Sequence, residues 1–141
     1  MTLPPAVIIH GLPHALSVLA AGRPATLLSA PGAACYAGCG WWRAVVTAAL
    51  AGYPGAAAPD VLDCDDAPGR ALEALSVGCR LIVLQPGPAW RDIAARAESC
   101  GARLLAAAPP ALDMGRRGED RRLAAWLGAS AGSPCANAAH P

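Results

Sequence analysis

Three carboxylates and a thiol follow an apolar lead-in at Val61-Leu62-Asp63-Cys64-Asp65-Asp66, and a Pro68-Gly69 break comes directly after. A buried parallel strand that surfaces at its C-terminal end and hands over to a helix has this pattern. Asp63 and Asp65 alternate with Cys64, so a regular strand would point both to one side. Carboxylates that close repel, and one then holds its proton nearer neutral pH, where it serves as an acid or base. The pair also suits Mg²⁺ through one or two oxygens. A structural alternative needs no ligand: Asp66 caps the next helix, Asp65 pairs with an arginine, and Asp63 is buried and hydrogen-bonded.

The same place in other units is also polar. His10, Ser29 and Gln85 each leave an apolar run and are followed within a few residues by Gly or Pro. On a parallel sheet these positions share one edge, the edge where α/β proteins bind ligands. We therefore expect His10, Asp63 and Asp65 as the acid–base residues and Ser29, Gly32, Gly38 and Gln85 as ligand-binding residues. Gly32 and Gly38 belong to the Gly-rich stretch from Ala30 to Gly40, whose amides suit an anion. His10 is expected to find an aspartate partner on strand three. Cys35 and Cys39 lie in the same stretch, but their spacing has no second matched pair, so no metal site is expected. No cofactor is identified.

These residues need a scaffold of alternating strands and helices. Apolar runs at 6–10, 25–29, from Val61, 81–84 and 103–106 read as five buried strands. Helical apolar faces lie between them, and a last helix is expected over 119–127. A unit of Gly stop, Arg, strand and Pro break recurs at Gly22-Arg23, Gly78-Cys79-Arg80 and Gly101-Ala102-Arg103. The fold expected is a single α/β domain over residues 1–128, a parallel sheet of about five βα units in a flavodoxin-like three-layer sandwich with strand order 2-1-3-4-5. The alternative is half of a β/α barrel that dimerises. Residues 129–141 are small and polar and are expected to form a disordered tail.

Composition removes several chemistries. All 11 basic residues are Arg, so no lysine Schiff base, pyridoxal phosphate aldimine or P-loop is available. Phosphoreceiver domains share the layout but need a lysine after their fifth strand. A net charge of +1 gives no field for nucleic acid. Apolar runs are too short and too interrupted for a membrane span or a signal peptide. A cytoplasmic location with reduced cysteines follows as the expectation. The functional expectation is a small-ligand or anion-binding domain, with acid–base enzyme chemistry open to it. The alternative is a non-catalytic module that forms a homo-oligomer through Trp41-Trp42, one ring in the core and its neighbour exposed.

Overall fold

The computed structural model describes residues 2–128, so the expectation for the tail lies outside the described residues. The strands are β1 (Ala6–Ile9), β2 (Thr26–Ser29), β3 (Asp60–Asp63), β4 (Leu81–Val83), β5 (Arg103–Leu105) and β6 (Ala111–Asp113). Between them run the helices α1 (Leu12–Ala20), α2 (Ala33–Tyr36), α3 (Cys39–Gly52), α4 (Pro68–Ser76) and α5 (Trp90–Ser99). Proline at the first positions of α1 and α4 forgoes an amide that has no helical partner there. A 3₁₀ turn, Glu119–Arg122, leads into helical residues 123–128, so the last expected helix begins as a tighter turn.

All strand pairings are parallel, in the order β5-β4-β3-β2-β1-β6. The parallel α/β architecture is as expected, with one strand more than five. The expected order 2-1-3-4-5 is corrected: β1 pairs with β2 and β6, not with β3. From β1 to β5 each crossover steps one strand in the same direction. Right-handed crossovers of that kind put every connecting helix on one face. The main core lies there, joining Val7, Ile9, Leu27, Leu62, Ile82 and Leu104 to the buried sides of α1, α3, α4 and α5. The opposite face carries a smaller cluster, Ala6, Leu28, Val61, Leu81 and Val83, on which Leu3 of the lead-in packs as a thin third layer. A strand buried on both faces has no polar alternation, as the unbroken burial of Leu81, Ile82 and Val83 shows.

The β5–β6 connection dictates the shape of the sheet. Five strand spacings make a flat sheet about 24 Å wide. Register adds to the distance. Leu105 shares a row with Val83 and Asp63, while Ala111 lies four residues lower, two below the Asp113–Ile8–Leu28–Val61 row. Four residues are about 13 Å, so the flat-sheet separation is about 27 Å. The chain from Leu105 to Ala111 reaches at most about 22 Å. The sheet is therefore curled, helices outside, with its edges drawn towards each other. A cavity of about 510 Å³ at its N-terminal end, lined both by Leu3–Ala6 and by Arg103, Leu105 and Pro109, fits this curl.

Candidate functional site

At the C-terminal edge the polar side chains fall into two groups. The first forms where β2 and β3 end. Ser29 is buried, and its hydroxyl accepts the Asp63 amide at 2.9 Å. Asp63 is 8% exposed. Its Oδ1 accepts the Asp65 amide at 2.8 Å and the Gly32 amide at 3.2 Å. This aspartate turn ends the strand and puts Asp65 in the left-handed region, at φ 53°. The regular alternation that would aim Asp63 and Asp65 to one side therefore stops at Asp63. Asp65 is exposed and accepts a 2.7 Å hydrogen bond from Gln85 Nε2, tying the ends of β3 and β4 together. Ser29, Gly32, Asp63, Asp65 and Gln85 thus form one connected network. Within it the Gly32 amide serves an internal carboxylate.

Gly38, at φ 98°, precedes α3 and makes no side-chain hydrogen bond in this network. Asp66 is exposed and does not cap α4, whose N-cap residue is Ala67.

The second group is built on β1 and β6. His10 Nε2 lies 2.7 Å from Asp113 Oδ1, and the two side chains are 39% and 27% exposed. The expectation that His10 would find an aspartate on strand three is corrected. Because β6 lies beside β1, the partner is Asp113, which reads in the sequence as part of a short run behind Pro109-Pro110. The same Oδ1 accepts the Gly115 amide at 2.8 Å. Burial would raise the Asp113 carboxyl, but the hydrogen bonds from His10 and Gly115 and the positive charges of His10 and Arg116 outweigh it and hold the carboxyl below its ordinary value. The His10 amide donates to His14 Nδ1 at 3.1 Å. The rings of His10 and His14 meet edge to face with centroids 5.6 Å apart.

Both groups lie at the C-terminal ends of their strands. Ile8, Asp113, Leu28 and Val61 form one row, and His10, Ala30 and Asp63 follow two residues beyond it, Ala30 packing in the main core. Across two strand spacings His10 and Asp63 are about 10 Å apart at the backbone, with the small Ala30 between them. Among the described residues, no cluster of three or more His, Cys, Asp or Glu side chains is arranged to hold a metal ion.

The tryptophans turn inward. Trp42 is fully buried and donates to Asp60 Oδ2 at 3.0 Å, alongside Arg43 at 2.8 Å. Trp41 is half-buried and packs against the main core. Asp60 begins β3, so this ion pair sits at the sheet edge opposite the histidines.

Fold and site define the class as a parallel, one-sided α/β domain with a His–Asp pair at the C-terminal edge. The chain matches no protein-family model and has no significantly similar counterpart among curated proteins.

Proposed function

We propose that this domain binds a small ligand, an anion in the first instance, at the C-terminal edge of its sheet and acts on it by acid–base chemistry through His10. The observation that carries this reading is the 2.7 Å contact between His10 Nε2 and Asp113 Oδ1 on a partly exposed edge. A carboxylate that fixes an imidazole and stabilises its protonated form makes the imidazole an effective base near neutral pH. Asp63, at the end of β3, has one oxygen engaged by amides, which leaves its second oxygen for a ligand. Arg116 follows in the turn after Asp113, is exposed, and forms no ion pair with an acidic side chain among the described residues. It supplies the positive charge an anion needs.

The test is a thermal-shift panel of inorganic phosphate, phosphate monoesters and dicarboxylates. A bound ligand raises the melting temperature according to its saturation. His10→Ala is expected to abolish that rise while the unliganded protein still melts cooperatively. An unchanged rise in His10→Ala would remove His10 from the site.

The five described cysteines are unpaired, which suits the reducing cytoplasm proposed for this chain. Among the described residues no helix is long and apolar enough to cross a membrane. Self-association is the alternative reading. With Trp41 and Trp42 turned inward, it would rest on the exposed Tyr36, Leu72 and Val77.

A further inference from the structure

We infer that Gly115 is a positioning residue that fixes the proton of neutral His10 on Nε2 and leaves Nδ1 as the atom that exchanges protons with a ligand. The inference rests on the acid–base reading above and says which atom works and what sets it.

Two features of Gly115 act together. Its amide donates to Asp113 Oδ1 at 2.8 Å, the same oxygen that meets His10 Nε2. One carboxylate oxygen is thus held by two donors, and its direction is set by the turn and not by the side-chain torsions of Asp113 alone. The second feature is the missing side chain. A Cβ at Gly115 would lie 2.6 Å from His10 Nε2, 2.7 Å from Cδ2 and 3.2 Å from Asp113 Oδ1. Gly115 is not among the glycines with positive φ, so its backbone conformation does not require glycine. Space does. The main chain passes against the edge of the imidazole, and any larger residue must push the ring away from its carboxylate.

The chemistry follows from donor and acceptor inventories. An ionised carboxylate only accepts, so Nε2 must carry hydrogen towards it. The neutral imidazole then has its lone pair on Nδ1. A ligand proton moves to Nδ1, giving an imidazolium whose Nε2–H stays on Asp113, and the proton returns from Nδ1 in the reverse step. No oxidant or further reactant is involved.

The experiment is nitrogen-15 NMR of the histidine side chains, which reads tautomer and titration without any ligand. In the parent, neutral His10 is expected as the Nε2–H tautomer. Gly115→Ala is expected to retain a cooperative melt and to mix the two tautomers of His10, because the carboxylate no longer holds Nε2–H. Asp113→Asn provides a second arm that leaves the turn its size. It keeps an oxygen for the Gly115 amide and for Nε2–H but removes the charge, so the Nε2–H tautomer is expected to persist, while Asp113→Ala, which removes the acceptor, is expected to mix the tautomers. A purely structural glycine would change the melting temperature and leave the tautomer alone. A parent ring protonated on Nδ1, or a folded Gly115→Ala with the parent's tautomer, would overturn the inference. If Gly115→Ala does not fold, the parent spectrum and Asp113→Ala decide: an Asp113→Ala ring still protonated wholly on Nε2 would overturn it. A thermal-shift panel that finds no ligand would count against the proposed function and leave this result standing.

Discussion

His10 and Asp113 are 103 positions apart in sequence, yet their contact defines the candidate site. Its pH dependence can be argued from the carboxylate. The folded-state pKa of Asp113 is lowered, so the contact stabilises the fold above the ordinary carboxylate value of about 4. That contribution is lost as pH falls through the lowered value, because the folded form must then take up a proton it binds weakly. Melting temperature followed from pH 6 downward should therefore fall more steeply in the parent than in Asp113→Asn, the two curves converging in acid. Parallel curves would mean the carboxylate is not held by His10. At this scale the sequence showed His10 and its need for an aspartate partner but not which aspartate. Asp63 stood out because it sits among three carboxylates, whereas Asp113 has no charged neighbour nearer than Arg116. The contact depends on β6 lying beside β1, a long-range pairing with no local signature.

Among the elements, β4 was legible from its unbroken apolar run, and β6 was hidden by its length. Three residues, Ala111–Asp113, carry too little pattern to identify a strand, and the prolines before them read as an ending. Residues 30–40 read as an extended Gly-rich connection, yet they contain α2 and the start of α3. That short helix brings Cys35 and Cys39 near the β3 exit, where Cys35 Sγ faces the Cys64 carbonyl at 3.7 Å. Cys39, Cys64 and Cys79 are buried, whereas Cys35 and Cys100 are exposed. Burial pushes the Cys39 thiol up to about 12 and the Cys79 thiol to about 11, and raises that of Cys64 as well. At pH 8 a thiol-specific disulfide reagent should modify Cys35 and Cys100 quickly and these three only on unfolding. The same shifts set an alkaline limit. Unfolded thiols ionise from about pH 8.5 while the buried ones keep their protons, so stability is full below that pH and declines above it towards pH 11–12. Replacing Cys39 by serine should reduce the alkaline decline; an unaltered decline would assign it to other groups.

The whole molecule is a sheet with helices on one side, curled by a connection too short for a flat one. The sequence showed the βα alternation because helical and strand periods differ residue by residue. It did not show strand order, because every crossover is compatible with a step to either side. If the connection sets the curl, deleting Ala107 and Ala108 should prevent cooperative folding, since about 7 Å of reach is lost. Inserting two glycines there should cost less than about 1 kcal/mol, because closure entropy grows slowly with loop length. Equal tolerance of both changes in a thermal melt would mean the edges are not held together by this segment.

The curl also separates two places where a small molecule could sit. One is the C-terminal edge with His10, Asp63 and Asp113. The other is a cavity of about 540 Å³ at the opposite end, lined by Arg23, Tyr53, Pro54 and Ala56–Ala58. In βα architectures the C-terminal end binds and the N-terminal end serves stability. The most direct measurement is a backbone amide NMR titration of the intact chain with inorganic phosphate, a phosphate monoester and a dicarboxylate. The account predicts saturable shifts at His10, Gly32, Asp65, Gly115 and Arg116, absent in His10→Ala. Saturable shifts confined to Arg23 and Tyr53–Ala58, or the same C-terminal-edge shifts persisting in His10→Ala, would contradict it.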